Sequence, residues 1–167
     1  MTRTRLRSFT RVALLALGLS WLDAGRASAQ NSFRVGLSFG GTGFVGVVAE
    51  RLWNDRGVEL LVTTFSFHDI GVSVVGKQYF GASWLKPSVG GGLWLLTGRT
   101  PDGTGTALIA RFPLGADWKI SGPSHLTWEV NAMRGLWVQR PDPDDDFPIT
   151  QRVIPIPAIA YRASFNQ

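Results

Sequence analysis

The stretch from Thr106 to Val138, TALIARFPLGADWKISGPSHLTWEVNAMRGLWV, carries the pattern that decides the fold. Leu108, Ala110, Phe112, Leu114, Ala116, Trp118 and Ile120 fall on one parity, and Arg111, Pro113, Gly115, Asp117 and Lys119 on the other. After Ser121-Gly122-Pro123-Ser124 the alternation resumes, with Leu126, Trp128, Val130 and Ala132 against His125, Thr127, Glu129 and Asn131. Successive side chains of a strand point to opposite faces, so this stretch predicts a hairpin with one apolar and one charged face. Each arm offers roughly nine or more alternating residues. That is enough to cross a bilayer obliquely, whereas strands of soluble sheets run to about five or six.

Upstream of the hairpin, the first residues read as a leader rather than as fold. Arg3, Arg5, Arg7 and Arg11 precede an apolar run from Val12 to Leu22 that is too short to span as a helix. Ala27-Ser28-Ala29 supplies the small residues of a cleavage site, with cleavage expected before Gln30. Residues 1–29 are therefore expected to be a cleaved signal peptide of bacterial style, and 30–167 one exported domain. An uncleaved anchor is the alternative, and the Ala-Ser-Ala site argues against it. The whole chain holds 17 Lys+Arg against 12 Asp+Glu, but five arginines and Asp23 belong to the leader. The exported part is close to neutral, so the basic whole-chain balance is no argument for nucleic-acid binding. Cysteine is absent, which excludes disulfides and thiolate metal sites.

The exported part reads as eight strands and no helix. The expected spans are Ser32–Gly40, Phe44–Trp53, Val58–Phe67, Ile70–Phe80, Trp84–Thr97, the two arms of the hairpin, and Ile149–Phe165. The third has an ambiguous phase, because Leu60, Leu61, Val62 and Phe65 make both faces apolar. Turns are expected at 40–43, 54–57, near His68-Asp69, at about 81–83 and at 121–124, with longer loops at 98–105 and 140–148. Pro155 and Pro157 sit awkwardly in the last strand, since proline has no ladder donor; a bulge near a rim would accommodate them.

Alternation alone does not distinguish a soluble sandwich from a membrane barrel, since both have one apolar face. The polar parity, however, carries Arg34, Glu50, Lys77, Lys86, Arg111, Asp117, Glu129 and Arg162 deep within strands, interleaved with glycines. Paired charges among small residues suit the interior of a narrow barrel. Trp53, Trp84 and Trp118 are expected on one rim and Trp94 and Trp137 on the other, where an amphipathic ring favours a membrane interface. The longer loops fall at one end, as in barrels with short inner turns. The fold class expected is all-β, a single eight-stranded antiparallel up-and-down transmembrane barrel.

At the C-terminus Ile159, Tyr161, Ala163 and Phe165 alternate into a closing aromatic, which resembles the assembly signal of bacterial outer-membrane β-barrels. Asn166 and Gln167 after the aromatic depart from the usual form. The hairpin, with Pro113–Trp118 and Leu126–Glu129, resembles the last-but-one hairpin of small barrels of the OmpA transmembrane type. The resemblance implies insertion by the barrel assembly machinery, outer-membrane lipid and lipopolysaccharide as surroundings, Tyr161 as an interface aromatic, and a mostly filled interior. It specifies no activity.

Candidate chemistry is thin. His125, Thr127 and Glu129 share the inward parity, but neighbours on one face lie about 7 Å apart along a strand, which argues against a direct relay among them. Lipid A deacylases, barrels of similar size, carry a His-x-Ser pair followed by Asn on a late strand. The comparable Trp128-Glu129-Val130-Asn131 has neither His nor Ser. Asp142, Asp144, Asp145 and Asp146 lack the glycine and terminal glutamate of a calcium loop and read as a solvated acidic loop. Gly90-Gly91-Gly92 is mid-strand with no following helix, hence no phosphate cradle. The expectation is a monomeric outer-membrane barrel with a structural or surface-interaction role and no cofactor. The alternatives are a secreted lipocalin-like binder and, behind it, a deacylase-like hydrolase.

Overall fold

The computed structural model describes residues 31–100, 103–142 and 152–166. The expected leader 1–29 and residues Asp144, Asp145 and Asp146 of the acidic loop lie outside them. Among the described residues the strands are Asn31–Gly40 (β1), Gly43–Trp53 (β2), Arg56–Thr64 (β3), Asp69–Tyr79 (β4), Leu85–Thr100 (β5), Gly103–Ser121 (β6), Ser124–Gln139 (β7) and Ile154–Asn166 (β8). Each pairs antiparallel with the next, and β8 pairs antiparallel with β1, closing an eight-stranded up-and-down barrel. One end, here the near end, carries the β2–β3, β4–β5 and β6–β7 turns and both ends of the described chain. The far end carries the other connections.

Closure needs a stagger, and the register supplies it. From Gly36 one route of partners runs Val48, Leu61, Ser73, Trp94, Ile109 and Gly135. The opposite route runs from Gly36 to Arg162 and on to His125. The two routes reach β7 ten positions apart, at 135 and 125, so the strands must tilt steeply around a narrow axis. Gly36, Gly92 and Gly115 serve this curvature. A Cβ on them would lie 1.9, 2.0 and 2.2 Å from the backbone oxygens of Tyr161, Val74 and Trp128.

The hairpin's apolar parity faces out and its charged parity faces in. Phe112, Leu114, Trp118, Trp128 and Val130 are exposed, while Arg111, Asp117, Thr127, Glu129 and Asn131 are buried. The same inversion runs around the barrel: Leu37, Val47, Leu60, Val74, Leu93 and Ile159 are all exposed. In β3 the phase resolves with Val58, Leu60 and Val62 outside and Glu59, Leu61 and Thr63 inside.

The prolines find places where no donor is needed. Pro157 offers its carbonyl to Gly41 N at 2.9 Å, so its backbone polar edge faces β1. The β1 ladder ends at Gly40 opposite Ala158, so the N–H that Pro157 lacks would face the turn; Pro155, two residues on, faces the same way. Pro113 sits where the β5–β6 ladder is interrupted between Val89–Leu114 and Gly92–Arg111.

Three expectations need correction. The predicted loop 98–105 is mostly strand, with Gly98, Arg99 and Thr100 paired to Gly105, Thr104 and Gly103; Thr-rich polar sequence extends a hairpin as readily as it makes a loop. Trp94 is not a rim aromatic. It shares parity with Ser88 and Gly92, is 5% exposed, and lies inside against Gly71, where a Cβ would sit 2.5 Å from its Nε1. Lys86 has the inward parity but stands at the start of β5. There it meets Asp55 at the near-end mouth (3.6 Å, side chains 34% and 57% exposed) instead of the interior.

Candidate functional site

The barrel interior is the most elaborate chemistry of the molecule. Four cations, Arg34, Lys77, Arg111 and Arg162, and four carboxylates, Glu50, Glu59, Asp117 and Glu129, are buried there together. They come from seven of the eight strands, which places their pairings far apart in sequence. Burying a lone charge is prohibitive, so each must be met by an opposite charge and by hydrogen bonds.

Glu59 is the hub. It accepts from Lys77 Nζ at 2.5 Å, Arg162 Nη2 at 2.6 Å and Arg111 Nη1 at 3.0 Å. Glu129 pairs with Lys77 and accepts from Arg111 Nη2 at 3.2 Å. Arg111 is held further by Asn131 Oδ1 at 2.6 Å and Ser73 Oγ at 3.1 Å. Arg162 divides its fork between Glu59 and Glu50, whose Oε2 it meets at 2.7 Å, and Tyr79 hydroxyl also donates to Glu50. The sequence reading omits Glu59 because it leaves the β3 phase open. A carboxylate alternating with Leu61 and Thr63 is the signal that fixes it.

Nearer the mouth, Asp117 collects Arg34 Nη1 at 3.1 Å, Thr127 Oγ1 at 2.9 Å and His125 Nδ1 at 2.9 Å. Arg34 also lies over the Tyr79 ring at 5.9 Å. His125 and Thr127 thus converge on one carboxylate, the Thr127 hydroxyl donating to Asp117 Oδ1 and His125 Nδ1 meeting Oδ2. Glu129, the third member of the sequence trio, belongs to the Lys77 and Arg111 cluster. His68-Asp69, at the far end, is a turn device: Asp69 accepts from Phe65 N at 2.6 Å and Ser66 N at 3.0 Å, and His68 Nδ1 contacts its neighbour Ser66 O at 2.9 Å.

Little space remains around these groups. A void of about 10 Å³ lies between Ser38, Leu61, Glu129 and Arg162, on the scale of one water position. Arg162, Glu59 and Glu129 cross the axis from β8, β3 and β7, so the side chains fill the barrel at that level.

The outer surface is the second feature. At the near end Trp53, Trp84 and Trp118 are exposed, and the last two rings meet edge to face at 5.9 Å. Trp137 is exposed towards the far end of β7. Tyr161 and Phe165 point outward from β8 opposite Leu37 and Phe33, and the Tyr161 hydroxyl lies 2.8 Å from Ser124 Oγ. Comparison of the chain with family models, with curated proteins and with solved structures finds no match.

Proposed function

We propose that this chain is an exported bacterial outer-membrane β-barrel of the small OmpA-like kind, with a structural or surface-interaction role and a lumen filled by side chains. The observation that carries the reading is the inversion of the barrel. A belt of exposed Leu, Val, Phe and Trp surrounds an interior of paired charges, which is the reverse of a water-soluble protein. Apolar surface on this scale calls for a covering phase, and lipid is one that meets every strand equally. A closed barrel also leaves no unpaired sheet edge, the condition for strands in hydrocarbon.

The rim aromatics support the same reading, since Trp and Tyr favour the headgroup level. The near end, with its short turns, then faces the periplasm. Tyr161 and Phe165 supply the signal read by the assembly machinery, and the surroundings are outer-membrane lipid and lipopolysaccharide. A lipocalin-like cup is less well supported, because such a binder needs an open interior and this one is occupied.

The test is a heat-modifiability gel on fractionated cells. The expected result is a band in the outer-membrane fraction that migrates differently before and after boiling. Recovery only from the soluble periplasm overturns the proposal.

A further inference from the structure

Among the described residues, the exposed belt carries a hollow on β4 and β5. Gly76 of β4 and Gly91 of β5 are register partners, and both face outward in rows otherwise filled by Val74, Val58, Val89 and Leu93. Their lack of side chains is not imposed by the backbone. A Cβ on Gly76 would meet nothing nearer than 3.9 Å, and one on Gly91 only the Phe112 ring at 3.6 Å. The pair forms the floor of a groove of about 430 Å³ whose near end is lined by Trp53, Arg56 and Gln78.

Two arginines stand on the same outer surface, Arg56 lining the groove and Arg51 beside it, one strand beyond Val58. Arg51 is exposed on β2, two residues from Trp53, and lies opposite Val58, the neighbour of Gly76. Among the described residues it forms no ion pair. Arg56 lies opposite Trp53, and its Nε donates to Gln78 Oε1 at 3.3 Å. An exposed cation such as Arg51 on an apolar outward face is costly unless an anion comes to it, and Arg56 is its diagonal cross-strand neighbour, at a spacing of about 7–8 Å that two long side chains can bridge to share one. A guanidinium pair favours phosphate, whose oxygens match its fork of donors.

We propose that this groove binds one glycerophospholipid, with an acyl chain over Gly76 and Gly91 and its phosphate held by Arg51 and Arg56. The inference rests on the membrane reading above. It adds a specific lipid of the periplasmic leaflet to an otherwise uniform belt. Neither half suffices alone: the arginines without the hollow would hold any phosphate, and the hollow without the arginines any chain.

Native mass spectrometry of the full-length chain folded in dodecyl maltoside tests this, with dimyristoyl phosphatidylglycerol added and each sample first checked for heat-modifiability. A single-lipid adduct should survive detergent removal. It should fall about tenfold in Arg51→Gln/Arg56→Gln and in Gly76→Leu/Gly91→Leu, a change of the size that losing one charge-assisted contact brings. Myristate alone and glycerophosphate alone should give no lasting adduct. Equal retention by wild type and both double variants, or a graded series of adducts with none preferred, overturns the inference while leaving the barrel reading intact. Should the leucine variant not fold, the arginine pair decides. A wild-type chain that stays soluble without detergent and shows no heat shift overturns both readings.

Discussion

Glu50 and Glu59 stand directly opposite one another on β2 and β3, so two carboxylates face each other inside the barrel. Like charges in such positions repel, and the filled interior leaves little room for solvent to screen them. Arg162 resolves the conflict from β8 by donating Nη1 to Glu50 and Nη2 to Glu59 at 2.7 and 2.6 Å. The last strand is thus tied by charge to the second and third, across the seam where β8 closes on β1.

Arg162→Met keeps much of the volume but leaves that carboxylate pair short of its shared cation. The expected loss is about 3–5 kcal/mol of folding stability, read as a lowered urea midpoint for the folded band in lipid vesicles. Adding Glu50→Gln should restore part of it, because the repulsion disappears along with the unmet charge. A double variant no better than Arg162→Met would show that the clamp does not act through Glu50.

Lys86 and Asp55 provide the contrast. Their pair is exposed at the mouth and 3.6 Å long, so Lys86→Gln should shift the same midpoint by less than about 1 kcal/mol. A loss comparable to that of Arg162→Met would place Lys86 within the buried network, against its position here.

Val130 lies on the outer face of β7 between Leu114 and Pro157 and is 39% exposed. In water an arginine there would be nearly neutral. In a bilayer, Val130→Arg should cost about 2–4 kcal/mol at the midplane and less towards a rim. Folding into vesicles, followed by the shift in gel mobility, measures it; unchanged folding efficiency and midpoint would contradict the outward-in-lipid assignment.

Phe67, at the tip of the β3–β4 turn, is 82% exposed and has a φ of 61°, a left-handed conformation that a bulky residue adopts at a cost. Asp69 holds it there by binding the backbone of Phe65 and Ser66. Phe67→Asn should therefore raise stability by about 1 kcal/mol, since Asn enters this region more readily and loses no buried contact. A destabilised Phe67→Asn variant would mean that the phenyl ring makes contacts worth more than the strain it imposes.

How much of this was legible in the sequence follows from what parity can and cannot say. Alternation in 106–138 contains the hairpin and both of its faces, because Arg111, Asp117 and Glu129 mark one side without ambiguity. It gives the side a residue faces but not its depth, which is why Lys86 reads as interior although it stands at the mouth. Residue type competes with parity at Trp94: a tryptophan suggests a rim, while its even number in β5 turns it inward over Gly71. In β3 apolar residues on both faces obscure the phase, and with it Glu59. Partner choice is further out of reach. Nothing local in Arg162 points to a carboxylate 103 positions away, since only closure and stagger bring them together. Pro155 and Pro157 look like obstacles until the end of β1 is known.

The glycines offer the sharpest separation between backbone necessity and surface design. Gly92 and Gly76 belong to adjacent strands, the first facing inward and the second outward. Only at Gly92 would a methyl collide with the sheet itself, 2.0 Å from the Val74 oxygen and 2.7 Å from the Val75 Cα. Neither atom can withdraw without disturbing the β4–β5 ladder, so Gly92→Ala should cost at least about 1–3 kcal/mol and lower the yield of folded barrel. At Gly76 the nearest atom to an added Cβ is the Gly91 oxygen at 3.9 Å, an ordinary contact. Gly76→Ala should then leave the midpoint within about 0.5 kcal/mol of wild type. Parallel urea titrations of the two variants in vesicles decide the matter, and equal losses would mean that both glycines serve the curvature of the barrel and that the hollow at Gly76 is its by-product.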